Sequence, residues 1–131
     1  MPSIEHRTCP VVSNDDLDEL FAVSWPAHEP TDFARKHAHG LAFVCAFAGE
    51  RLIGYVNLAW DGGIHAFLLD TTVHPAHRRR GVGRELVLRA AAVAHERGMR
   101  WLHVDFEPQL AGFYRGCGFA PTEAGLMRLG G

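Results

Sequence analysis

A chain of 131 residues, 47% hydrophobic and 21% charged, has the composition of one folded domain with its own core, and no run approaches the ~18 apolar residues of a membrane span. The net charge of −2 argues against a long polyanionic partner, yet seven of the thirteen basic residues lie between Arg78 and Arg100, a compact cluster that suits a local anion site better than nucleic acid. Cys9, Cys45 and Cys117 form no CxxC pair and are odd in number, which argues against a disulfide framework; the first residues also lack a secretion signal's apolar core, so a cytoplasmic protein with no membrane partner is expected.

In chain order, Ile4 to Thr8 reads as a short strand. Ser13 is placed as an N-cap, with Asp15 and Asp16 in the first turn and apolar Leu17, Leu20 and Phe21 behind them. That helix stops before Pro26, and Thr31 and Asp32 cap a second, shorter helix that ends near Gly40. Leu41 to Ala48 reads as a buried strand, Gly49-Glu50 as a tight turn, and Arg51 to Trp60 as the returning strand of a hairpin. Asp61-Gly62-Gly63 is a turn, and Ile64 to Val73 a third long strand. The best-supported helix follows Gly83, with Leu86, Val87, Ala90, Ala91 and Ala94 on one face and Glu85 and Arg89 on the other. Gly98 ends it, and Trp101 to Asp105 is a strand parallel to the one before the helix. A last helix runs from about Pro108 to Arg115, and Phe119 and Leu126 to Leu129 are expected to supply short closing strands. No repeat or linker divides residues 1–131, so a single α+β domain is expected.

The most informative segment is Val73-His74-Pro75-Ala76-His77-Arg78-Arg79-Arg80-Gly81-Val82-Gly83-Arg84. A strand, a glycine-containing turn and a helix N-terminus there present unpaired N–H groups and the positive end of a helix dipole to one point. A P-loop requires Lys and Ser/Thr after its second glycine, where this chain has Arg84-Glu85. A dinucleotide fingerprint requires a third small residue where Leu86 stands, and an all-parallel sheet. The remaining pattern is Arg-x-x-Gly-x-Gly, beside the blander reading of a polybasic turn whose glycines only permit a bend.

Arg78-Arg79-Arg80-Gly81-Val82-Gly83, preceded by Val73-His74-Pro75, resembles the acetyl-CoA-binding signature of the GCN5-related N-acetyltransferase (GNAT) superfamily. Phe113-Tyr114-Arg115-Gly116-Cys117-Gly118-Phe119 resembles that family's second signature, and the order of elements matches along nearly the whole chain. The resemblance implies a three-layer α/β arrangement, with an antiparallel meander and a parallel strand pair splayed at the acetyl-CoA site. It implies transfer of an acetyl group from acetyl-CoA to a primary amine of a small molecule or peptide. A non-catalytic acyl-CoA-binding or regulatory module is the alternative. Edge strands of such a fold allow a homodimer.

Residue roles follow. Gly81 and Gly83 let the backbone approach a pyrophosphate, with N–H groups from Arg79, Arg80, Val82 and Arg84 converging on it. Arg78, Arg79 and Arg80 cannot all face inward, so one or two meet the 3′-phosphate or solvent. By resemblance, the pantetheine arm pairs with exposed backbone at Thr71, Thr72 and Val73, which also supply the oxyanion donor. Tyr114 stands where family members carry a tyrosine near the thioester sulfur, and is the expected acid. Asp70, an acid interrupting an apolar run, and Glu107, just before the last helix, are the two expected bases. The family often has asparagine near the start of that helix; here Gln109 is the available substitute. The nine histidines show no zinc-ligand spacing, so no metal is expected. The acceptor amine is not encoded in any motif.

Overall fold

The computed structural model describes residues 3–131. A five-stranded sheet in the order β1-β2-β3-β4-β5 is formed by Ile4–Thr8 (β1), Ala42–Ala48 (β2), Arg51–Trp60 (β3), His65–Val73 (β4) and Trp101–His103 (β5). The first four strands pair antiparallel and β4 pairs parallel with β5, as a helical crossover between strands requires. The α-helices are Asn14–Ser24 (α1), Phe33–His39 (α2), Val82–Glu96 (α3) and Ala111–Gly116 (α4). The fold is α+β with a mixed sheet, as read from the sequence.

Alternation along β2 builds a core on each face of the sheet. Ala42, Val44 and Ala46 face the cluster that holds Leu86, Val87 and Ala90 of α3, whereas Phe43, Cys45 and Phe47 face Leu17, Leu20 and Phe21 of α1 and Phe33 of α2. Gly54 of β3 sets how closely α3 sits, because a Cβ there would stand 3.0 Å from both Leu86 Cδ1 and Ala46 Cβ. On the other face, α1 and α2 start where their caps dictate. Ser13 Oγ accepts from Asp16 N–H at 3.0 Å and Asp32 Oδ1 from Arg35 N–H at 3.2 Å.

Three expectations are corrected at the C-terminal end. The strand expected to reach Asp105 stops at His103, because β4 ceases to run alongside it. The last helix is preceded by a 3-10 turn, Pro108–Leu110, in keeping with proline's preference for a first turn. The closing strands do not form. Phe119 donates its N–H to Tyr114 O at 3.2 Å, which prolongs the helix end, and Leu126, Met127 and Leu129 are exposed. The run between Gly125 and Gly130 is too short, and too rich in flanking glycine, to hold a strand without a partner beside it.

Candidate active site

The site is built where β4 loses its neighbour. Parallel pairing joins His65, Ala66 and Phe67 to Trp101, Leu102 and His103, after which β4 continues to Val73 with that side open. On its other side the register jumps from Asn57↔Leu69 to Tyr55↔Thr72. Asp70 and Thr71 therefore oppose Val56 alone, the geometry of a β-bulge, a device that re-aims side chains next to active sites. Asp70 takes a left-handed conformation with φ 59°, which aspartate tolerates better than most residues. His74 N–H points to Ile53 O of β3 at 2.7 Å, so alternation turns the N–H and C=O of Val73 to the open side. There Val73 O accepts from Arg78 Nε at 3.2 Å.

Beyond β4 the chain makes a 3-10 turn, Pro75–His77, capped by His74 Nδ1 accepting from Ala76 N–H at 3.0 Å. Arg79 and Gly81 both have left-handed φ, 63° and 76°. Gly81 is the N-cap of α3 and brings no side chain to it. The first backbone N–H to find its acceptor is that of Glu85, on Gly81 O at 3.0 Å. Those of Val82, Gly83 and Arg84 have none among the described residues, and the positive end of the helix dipole lies with them. A Cβ at Gly83 would stand 3.5 Å from Phe113 Cζ and from Val73 Cγ2. The loop, the end of β4 and α4 thus meet at this glycine.

Tyr114 lies in the core on the α3 side. Its ring stacks on Phe106 at 4.8 Å and meets Phe113 and Phe119 edge-on. Its hydroxyl reaches Thr71 Oγ1 at 3.5 Å, so the two glycine-bearing signatures converge on the bulge. Glu107 and Gln109 are exposed. Glu107 makes no cap hydrogen bond and follows Phe106, whose ring stacks on Tyr114. No side-chain hydrogen bond ties Gln109 to the glycine loop among the described residues.

The other face of the bulge opens into a cleft of about 360 Å³ between α1, α2 and β4, walled by Phe21, Trp25 and Phe33 and edged by His28, Lys36 and Asp70. Lys36 Nζ stands 3.2 Å from Asp70 Oδ2. Trp25 Nε1 donates to Thr72 Oγ1 at 2.9 Å, and that hydroxyl donates to Asp70 O at 2.9 Å, which fastens the cleft wall to the bulge. Below it, the Tyr55 hydroxyl and His37 Nε2 are 2.7 Å apart. Burial, then the charge of Asp70, pushes the Tyr55 phenol up, and burial, then the charge of Lys36, pushes the His37 imidazole down. Both are held neutral at physiological pH, a hydrogen-bonded support rather than a proton source.

Thr71, Thr72, Val73 and the run Arg78 to Arg84 are therefore brought to one end of β4, with Tyr114 beside them and Asp70 on the reverse side. The sequence reading missed the bulge itself, although an αL-tolerant aspartate inside an apolar strand was a signal for it. It also missed Trp25 and Lys36 as cleft residues; of the loop between the first two helices, where the resemblance puts acceptor specificity, His28 lines the cleft. They sit on α1, α2 and the loop between them, and no local pattern links them.

Comparison with known proteins bears on the whole chain. The acetyltransferase (GNAT) family model matches residues 12–119. The chloroplastic GCN5-related N-acetyltransferase 1 of Arabidopsis thaliana is 26% identical over 123 residues, covering 92% of this chain and 62% of that protein. The chain thus spans about three-fifths of that relative's length. A GNAT-family acetyltransferase of Streptococcus pneumoniae superposes with a TM-score of 0.72 at 26% identity, covering 98% of this chain and 100% of the other. An aminoglycoside N-acetyltransferase solved in complex with CoA shares the fold, with a TM-score of 0.77 at 20% identity over 98% of this chain and 95% of the other. With its family match running from the first helix through the tyrosine signature, this chain belongs to the GNAT acetyltransferase family.

Proposed function

We propose that this protein is an acetyl-CoA-dependent N-acetyltransferase that passes the acetyl group directly to a primary amine of a small molecule or peptide. The observation that carries the reading is the Tyr114 hydroxyl at the bulge, 3.5 Å from Thr71 Oγ1, between an uncapped helix N-terminus on one side and an acid-bearing cleft on the other. The residues suit the co-substrate. Unpaired N–H groups of Val82, Gly83 and Arg84 receive a pyrophosphate, and Gly81 and Gly83 let it approach. Arg79, Arg80 and Arg84, all exposed, add cationic contacts, one of them toward the 3′-phosphate. The outward N–H and C=O of Val73 pair with the amide-bearing arm as a strand would.

Acetyl-CoA, when bound, supplies the thioester carbonyl that the amine attacks. A backbone N–H of the Thr71–Val73 segment faces the oxygen on which charge develops. Tyr114 donates its proton, or a hydrogen bond, to the departing sulfur. Of the two candidate carboxylates, Asp70 lines the cleft, and Glu107 lies past β5, next in the chain to Phe106, whose ring stacks on Tyr114.

The test is calorimetric titration with CoA, followed by a thiol-release assay with acetyl-CoA over amines, amino acids, polyamines and peptides. CoA binding and amine-dependent thiol release are expected. Gly83→Leu, which pushes on Phe113 and Val73, is expected to lose CoA binding by about 10-fold or more while staying folded. CoA binding with no thiol release across the panel would instead identify a non-catalytic acyl-CoA-binding module.

A further inference from the structure

His28 lies in the loop between α1 and α2, outside both signatures. Its Nε2 is 2.8 Å from Asp18 Oδ1, and the same carboxylate oxygen accepts the N–H of Thr31 at 3.0 Å. Asp18 is thereby fixed by the loop backbone, and it fixes the imidazole in turn. The His28 ring packs against Phe21 and Phe33, with centroids 5.3 Å and 6.4 Å away, and its side chain is only 11% exposed. A carboxylate accepting from Nε2–H selects the tautomer whose Nδ1 is unprotonated. Nδ1 has no hydrogen-bond partner among the described residues, and His28 lines the cleft that Asp70 edges.

The cleft also shows which ligand chemistry it favours. Lys36 already lays an alkylammonium in it, 3.2 Å from Asp70 Oδ2 and 5.4 Å from the Phe33 ring centroid. An aromatic wall and a carboxylate together hold a cation by charge and cation–π attraction. Lys36 is half-exposed, and ion pairs of that kind are weak and easily exchanged. An incoming ammonium can take the place of Lys36 on Asp70.

We propose that this cleft accepts a primary amine carried on a flat apolar body, and that His28, oriented by Asp18, is the general base that takes its proton. This rests on the acetyl-transfer reading above. Asp70 receives the ammonium in exchange for Lys36, and Phe21, Trp25 and Phe33 hold the body of the acceptor. His28 Nδ1 takes one proton from the ammonium and later passes it to solvent. The neutral nitrogen forms the N–C bond, the C–S bond breaks, and the sulfur leaves with its electron pair and takes the proton of Tyr114. The second proton lost by nitrogen restores Tyr114 through solvent. An imidazole is better matched than a carboxylate to this task near neutral pH. The charges facing His28 are Asp18 on α1, Lys36 on α2 and Asp70 on β4, with Glu29 next to it in the loop. Asp18 is a positioning residue.

The experiment uses the full chain with 2-phenylethylamine as the probe, and His28→Gln and Asp18→Asn as variants. Glutamine keeps a donor for Asp18 but cannot take the proton. In ring-nitrogen NMR, His28, assigned by its absence in H28Q, is expected as the Nε2–H tautomer, with Nδ1 shifted when the probe is added. In thiol release, H28Q is expected to lower kcat about 100-fold with KM within about threefold, and to abolish the imidazole inflection of the kcat–pH profile. D18N lowers kcat less and lets the Nδ1–H tautomer of His28 appear in the ring-nitrogen spectrum, since the carboxylate no longer holds Nε2–H. Unchanged CoA affinity of H28Q separates these effects from misfolding. Failure of the whole amine panel with the unmodified protein overturns acetyl transfer and this proposal together. A hit elsewhere in the panel with no probe shift at His28, an Nδ1–H tautomer in the unmodified protein, or an H28Q rate within twofold overturns this proposal alone and leaves His28–Asp18 as a loop clasp.

Discussion

Tyr114 belongs at once to the core and to the site, which makes its substitution informative. Its ring packs among Phe106, Phe113 and Phe119, and its hydroxyl makes a single long contact with Thr71. A hydrogen bond at 3.5 Å contributes little to stability, so Tyr114→Phe keeps the packing and removes only the hydroxyl proposed as the proton donor. The expected outcome is a kcat lower by about 10- to 100-fold, with CoA affinity within about twofold and the melting temperature nearly unchanged. Steady-state kinetics with calorimetry checks this, and an unaltered rate would return Tyr114 to a packing role alone. Gly81 and Gly83 stood out in the sequence because the strand end and helix start that they join are also their neighbours along the chain, whereas Tyr114 stood out only because its segment resembles the family's second signature; its contact with Thr71 spans 43 positions. Asp70 was half legible. Its oddity in an apolar run could be seen, but not that a bulge turns it toward the cleft and Thr71 toward Tyr114.

Among the elements, α1 matters to the proposed function because it carries one wall of the cleft. Its start depends on Ser13, whose Oγ accepts from Asp16 N–H; losing such a cap costs about 1 kcal/mol. Ser13→Ala is therefore expected to lower stability by about that amount in denaturant titration and to raise the KM for the amine. CoA affinity, which the proposed reading ties to the start of α3 at the other face, should not move. An unchanged KM would mean that the cleft does not depend on the start of α1, and equal loss at both sites would mean that the effect is global. The starts of α1 and α2 were legible because capping is a contact between residues a few positions apart; α3 has no side-chain cap and starts at Val82, ahead of the Gly83 that the sequence reading set as its boundary. The C-terminal strands were misread for the complementary reason. A strand exists only if a partner lies beside it, and neither Leu126 nor Leu129 has one.

At the scale of the whole molecule, pH dependence follows from groups buried in their neutral forms. Burial, and then the charge of Arg89 for His6 and of Lys36 for His37, holds both imidazoles below the ordinary 6.5. Between the folded and unfolded values the unfolded chain binds more protons, so stability rises with pH there. It is complete above about 6.5 and is lost as pH falls through the depressed folded values. Asp32 and Asp61, held below 3.8 mainly by backbone hydrogen bonds from Arg35 and Gly63, lose their contribution only in stronger acid. Scanning calorimetry is expected to show the melting temperature falling first between about pH 6.5 and 5, and less steeply so in His37→Gln. At the alkaline end, burial pushes the Cys45 thiol up to about 12, so its contribution is present at neutral pH and fades as pH rises above 9. A melting temperature flat from pH 7 to 5 would contradict the buried-imidazole account.

The loop proposed as the donor site is written in the sequence. It is local backbone chemistry, in which glycines, a strand end and a helix start lie within a dozen consecutive residues, so type and spacing determine its conformation. The cleft proposed for the acceptor was decided by tertiary structure. His28, Lys36 and Asp70 come from a loop, a helix and a strand, and reach one cleft only because β4 bulges between α1–α2 and Tyr114. Long-range packing determines that meeting, and no spacing along the chain records it.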